Sequence, residues 1–133
     1  MRSASLRSPA RPRGRSTVTA QGSTRTVLHR ALERGNIVAA EIAARELATI
    51  TLTEALELTA LIAKRDPRIR GRRAGARWLQ RWLAEARHPT IDGAVMVSGL
   101  LAALGGGAHD TALLALRDLT GRATSASGRR QTG

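Results

Sequence analysis

Trp78 and Trp82 are the only aromatic side chains in the chain, which contains no Phe, Tyr or Cys. All of the aromatic bulk available to a core therefore comes from two residues four apart, a spacing that stacks them one turn apart on a helix. Their neighbourhood, Asp66 to Ala86 (DPRIRGRRAGARWLQRWLAEA), agrees with that geometry. On a 100° wheel Trp78, Trp82, Leu79, Leu83, Ala76, Gly75 and Ala86 fall in one arc, and Arg70, Arg73, Arg77 and Arg81 fall in the opposite one. One face is built for a core and the other for water or an anion. Asp66, able to accept from free N–H groups, and Pro67, at a position where no donor is missed, predict the start of this helix.

The remaining segments carry the same periodicity between capping signals. Ser23 or Thr24 opens a helix to about Arg34, with Val27, Leu28, Ala31 and Leu32 on one side, and Gly35-Asn36 stops it. Ile37 to about Thr49 presents Ala39, Ala40, Ala43, Ala44 and Leu47, small enough for a neighbouring helix to approach closely. Thr51-Leu-Thr-Glu54 is a capping box ahead of an apolar helix to about Lys64. After His88-Pro89, Thr90 caps Ile91 to Leu104, which is apolar on nearly every side. That stretch covers only about 21 Å against a bilayer core of about 30 Å, so it predicts a buried central helix and no membrane span. Gly105-Gly106-Gly107 reads as a flexible joint, because no phosphate-loop Lys-Ser or Lys-Thr follows it. Ala108 to Leu119 is the last helix, with Ala112, Leu113, Leu116 and Leu119 inward and Gly121 as its stop. No stretch alternates long enough to make a sheet. The expectation is an all-α fold, a compact bundle or short solenoid of about six helices in three antiparallel pairs.

Charge divides the chain of 133 residues more sharply than its sum of +12 suggests. Residues 1–25 carry six arginines, residues 121–133 carry three, and neither stretch has an acid. Between Lys64 and Arg81 there are eight basic residues and one acid, while the rest of 26–120 has a net charge of −4. A basic helix is thus expected on a mildly acidic body. Residues 1–22, rich in Ser, Arg, Pro and Gly, predict a disordered basic tail, with a helical domain over 23–120 and a second disordered tail over 121–133. The first tail reads as a nucleic-acid arm, an organellar transit peptide, a plain solvated tail or a mis-assigned start; it lacks the apolar core of a secretory signal. Ala, Arg and Gly usage also has the look of a GC-rich genome, which lowers the weight of arginine as a phosphate signal. Without cysteine there is no disulfide scaffold or thiolate site, and a cytoplasmic location is expected.

Over Leu32 to Leu79 the pattern resembles tetratricopeptide repeats and related helical hairpins. Gly35-Asn36 at the bend, Ala40 and Ala44 at small inner positions, the Glu54-Ala55-Leu56 run and Asp66-Pro67 carry that resemblance. The aromatic and Leu-Gly anchors of that family's first helix are missing, and the helix starts do not keep a 34-residue period. The chain is also similar in general look to small all-helical bacterial proteins that carry no assigned function. The resemblance implies a scaffold that binds other proteins through a groove or face.

Catalytic signatures are missing. His29, His88 and His109 fall on different elements without metal-ligand spacing, and no nucleophile elbow, Walker loop or dinucleotide fingerprint occurs. Glu41, Glu54, Glu57 and Glu85 invite pairing, with Glu54 taken by its cap and Glu85 four residues after Arg81. Gly71 and Gly75 point to close helix packing or to a weakened helix. No enzyme activity and no cofactor is expected. The residues instead predict a non-enzymatic protein–protein interaction module, its partner or anion-binding face being Arg70, Arg73, Arg77 and Arg81. An acidic protein or a second copy is the expected partner. The alternative is weak, sequence-independent nucleic-acid binding through the same arginines and the basic tails, since there is no basic helix-turn-helix with polar base readers such as Asn or Gln at its start.

Overall fold

The computed structural model describes residues 13–132, with side chains over 21–123. Six helices follow one another, and no strand occurs among the described residues: α1 Arg13–Arg34, α2 Ile37–Glu46, α3 Leu52–Arg65, α4 Ile69–Glu85, α5 Ile91–Ala103 and α6 His109–Thr132. The fold is all-α, as the periodicity requires. No described helix is long and apolar enough to cross a membrane. The chain divides between Thr49 and Ile50 into two compact units.

In the first unit α1 and α2 form a hairpin. Gly35 adopts φ 71°, which lets its N–H reach the Leu32 carbonyl (3.2 Å) while the Asn36 N–H reaches Ala31 (2.8 Å). This crossed pair satisfies the last carbonyls of α1. Asn36 then caps α2 by accepting from the Ala39 N–H, so a residue expected to end one helix also begins the next. At the far end Gln21 uses both ends of its amide, donating to the Glu46 carbonyl and accepting from the Ala48 N–H, and Arg25 donates to Thr49. Leu28, Ala31, Ala40, Ala43 and Leu47 are buried. Helix α1 extends past its expected cap at Ser23 or Thr24 back to Arg13, overlapping the stretch expected as a tail; residues 1–12 lie outside the described residues.

In the second unit α3 packs on α4, α4 on α5, α5 on α6, and α6 back on α3. Short connections make consecutive helices antiparallel neighbours, and the last contact closes the four into a ring. Leu52, Leu56, Trp78, Val97, Leu104 and Leu116 fill its centre. The Thr51 hydroxyl accepts from the Glu54 N–H (3.0 Å) and the Glu54 carboxylate from the Thr51 N–H (2.8 Å), the reciprocal cap expected for α3. Thr51→Ala is expected to lower stability by about 1 kcal/mol and Thr51→Ser to restore most of it, read as a shift in urea midpoint at unchanged m.

The helix boundaries and the burial of α5 differ from expectation. Helix α4 starts at Ile69, not at Asp66-Pro67: Asp66 ends α3, its N–H bonding Ile62, and its carbonyl accepts from Gly71. Helix α6 continues through Gly121 to Thr132, with an Arg122–Asp118 ion pair across the expected stop. Helix α5 is not a buried central helix. It turns Val97 and Leu101 inward and leaves Ile91 (83%), Val95 (66%) and Met96 (52%) exposed, because a ring of four helices has no central member. Nor is the glycine turn only a joint. A Cβ on Gly105 would stand 2.8 Å from the Pro67 Cβ, so this residue lets the α5–α6 turn close against the α3–α4 turn. His109 donates from Nδ1 to the Leu104 carbonyl (2.7 Å), locking the same turn and fixing its tautomer.

Candidate functional site

Helix α4 turns both indoles into the ring. Trp78 is 3% exposed and Trp82 9%, and the Trp78 Nε1–H donates to the Leu52 carbonyl at 3.0 Å. That bond gives the indole a direction as well as a depth. The Trp82 ring edge packs beneath Gly93 at the start of α5, while its Nε1–H is buried without a partner among the described residues. Gly71 and Ala74 are buried beside them, and Ala76 and Leu83 are not. The inward arc is rotated toward Gly71 relative to the one the wheel predicts. The reason lies at the junction with α3: a Cβ on Gly71 would stand 2.6 Å from the Asp66 carbonyl oxygen and 3.0 Å from the Ala63 Cα, so only glycine permits this approach.

Arg70, Arg73 and Arg77 stand exposed on the side of α4 away from the indoles. Arg81 lies at the edge of that face, partly covered and ion-paired with Glu85 one turn on. From Arg70 to Arg81 the face extends about 16 Å along the axis. Lys64 and Arg65 in the last turn of α3, and Arg68 and Arg72 beside them, are also exposed and enlarge the cationic field at the α3–α4 turn. The two basic residues of α3 complement the negative end of its dipole, which gives them a local role besides any partner. The exposed guanidinium and ammonium groups of this face can offer N–H donors to carboxylates or phosphates, with the Glu85 carboxylate at its edge held by Arg81.

Away from α4 an ion pair ties two helices together. Glu57 accepts two hydrogen bonds from Arg117, Nε at 2.7 Å and Nη2 at 2.8 Å, fastening α3 to α6. That hydrogen bond, outweighing partial burial and helped by the charges of Glu57 and Asp110, holds the Arg117 guanidinium above its ordinary pKa. The pair is 60 residues apart in sequence, so no local pattern announces it. His29 and His88 are exposed, and no group of three metal-ligating side chains occurs among the described residues.

Two clefts mark the surface. One of about 360 Å³ lies in the first unit, between Val27 on α1 and Ala39 and Ile42 on α2. Another of about 490 Å³ runs between α4 and α5, floored by Gly75 and Leu101 and bordered by Arg72, Ala76, Ser98 and Ala102. Arg72 was not among the arginines the wheel selected. It falls beside Ala76 and Leu79 on the wheel, and that placement was the available signal. No protein-family model, no curated protein and no solved structure matches the chain.

Proposed function

We propose that this chain is a non-enzymatic helical interaction module that holds an acidic segment of a protein partner on the α4 face formed by Arg70, Arg73 and Arg77, with Arg81 at its edge. One observation carries the reading: both indoles of α4 are buried, one of them bonded to the Leu52 carbonyl, so the guanidinium face rides on a helix fixed in rotation. A cationic surface with its backbone already ordered loses less freedom on binding than a mobile arm does. Its flanking cations would speed encounter with an acidic partner.

The competing use of the same face is sequence-independent nucleic-acid binding, in which the basic residues outside α4 would share the work. Titrating the full chain with a polyglutamate peptide and with a single-stranded oligonucleotide, at matched ionic strengths, separates the two. The peptide is expected to bind, and the double substitution Arg73→Glu/Arg77→Glu to weaken it by about tenfold or more. A tighter complex with the oligonucleotide, falling steeply with salt and only mildly affected by the double substitution, would overturn the reading in favour of nucleic acid.

A further inference from the structure

We infer that the outer side of α5, together with the α4–α5 cleft beside it, is the surface through which two copies of this chain associate. Ile91, Val95 and Met96 are 83%, 66% and 52% exposed on this helix. Around Gly99 there is open space, with no atom within 4 Å of an added Cβ. A small soluble domain gains nothing by hydrating so many large apolar side chains on one helix, and such a patch marks a contact.

Charge selects the occupant. Every other described helix carries Lys or Arg, whereas α5 has neither, and its sole charge is Asp92 in the first turn. With no cation on α5 and only Arg72 among the charged residues lining the cleft beside it, the patch offers little to a phosphate backbone or an acidic peptide, and it lacks the basic fringe of helices that lie on membranes. A second copy fits better. Two molecules that each carry +12 repel at long range, so they can meet only where that charge is absent.

The two charges that border the patch are arranged for a twofold. Because α5 runs antiparallel to α4, Arg72 near the start of α4 lines the cleft at the end that also holds Ala102, Gly105 and Gly106. Asp92 stands at the opposite end of α5. If the two α5 helices lie antiparallel across a twofold axis, each Asp92 comes to the end of the interface where the other copy carries Arg72; a parallel arrangement would bring like to like. The small residues Gly99 and Ala102 let the two helix backbones approach closely, with Val95 seated between them.

Sedimentation equilibrium of the full chain tests this. The mass is expected to rise from 14.2 kDa toward twice that value between about 1 and 100 µM. Raising salt screens both the repulsion of the two cationic bodies and the Asp92–Arg72 contacts, so the dimer, held mainly by apolar contact, should persist at high salt where complexes of the arginine face of α4 are lost, and the two readings fail independently. Val95→Arg, at an exposed position, should leave the helical circular dichroism and melting profile in place and weaken the dimer by about tenfold or more. Asp92→Arg and Arg72→Asp should each weaken it at low salt, and their combination should recover most of the loss. A chain monomeric throughout the range would overturn the proposal, as would a Val95→Arg chain that dimerises like the parent. Failure of the charge exchange to recover association would overturn the antiparallel arrangement. Sedimentation of the monomer with neutral lipid vesicles, lost in Val95→Arg, would assign the patch to a membrane surface and overturn the proposal.

Discussion

Trp78→Ala is expected to cost the second unit about 3–5 kcal/mol, the range for removing a large aromatic from a closed core. Trp78 is 3% exposed and contacts a cluster assembled from all four helices of the ring, so the void it leaves cannot be filled by one helix moving alone. The Leu52 carbonyl loses the indole N–H besides, a further loss of about 0.5–1.5 kcal/mol. Set against a total of about 5–15 kcal/mol for a domain, the variant is left marginal. Urea unfolding followed by circular dichroism should show an early, shallow transition. Trp78→Phe should retain most of the packing and lose the hydrogen bond. Arg77→Ala, one residue away in sequence but exposed, should stay within about 0.5 kcal/mol of the parent. A Trp78→Ala variant as stable as Arg77→Ala would mean that the indole does not hold α4 in place.

The second large effect reverses the usual sign of a helix substitution. Alanine favours a helix interior over glycine by up to about 1 kcal/mol, so Gly→Ala within a helix ordinarily stabilises. Gly71→Ala is expected instead to destabilise by about 1–3 kcal/mol, because the new methyl meets the Asp66 carbonyl and the Ala63 Cα, both backbone atoms that cannot swing aside. The α3–α4 junction would have to open to admit it. Gly99→Ala, in open space on α5, supplies the control and should stabilise by about 0.5–1 kcal/mol when read on dilute protein. Chemical denaturation of the two variants side by side checks both. Equal stabilisation by the two would show that α4 does not approach α3 as closely as the structure has it.

Local chemistry was legible where one segment satisfies itself. The Thr51–Glu54 box, the Thr90 cap and the left-handed Gly35 each serve groups within a few residues, and each stands as expected. The division of α4 into an indole side and a guanidinium side was legible too, since burying two tryptophans leaves few choices for the arginines. What the chain does not announce depends on neighbours. Asp66-Pro67 reads as a start for α4, whereas Asp66 closes α3 with its N–H on Ile62 and gives its carbonyl to the Gly71 N–H. The rotation of the inward arc toward Gly71 follows from an approach to Ala63 that a wheel cannot contain. Hydropathy measured how apolar Ile91 to Leu104 is, while the closure of α6 on α3 determined how little of it is covered. For the arginines of α4, the spacing placed Arg70, Arg73 and Arg77 outward, as they stand; it said nothing of the Arg81–Glu85 pair at the edge or of Arg72 beside the α4–α5 cleft, which depend on neighbours.

Both the proposed binding face and the ring beneath it require the indoles to be inside, and the absence of tyrosine makes this directly observable in the intrinsic fluorescence of the full chain. Emission and acrylamide quenching of the parent, Trp78→Phe and Trp82→Phe should be recorded in native buffer and again in denaturant. Each remaining indole should emit well to the blue of its denatured form and be quenched several-fold more slowly. Native emission and quenching indistinguishable from the denatured chain for either tryptophan would put that ring in water and contradict the account.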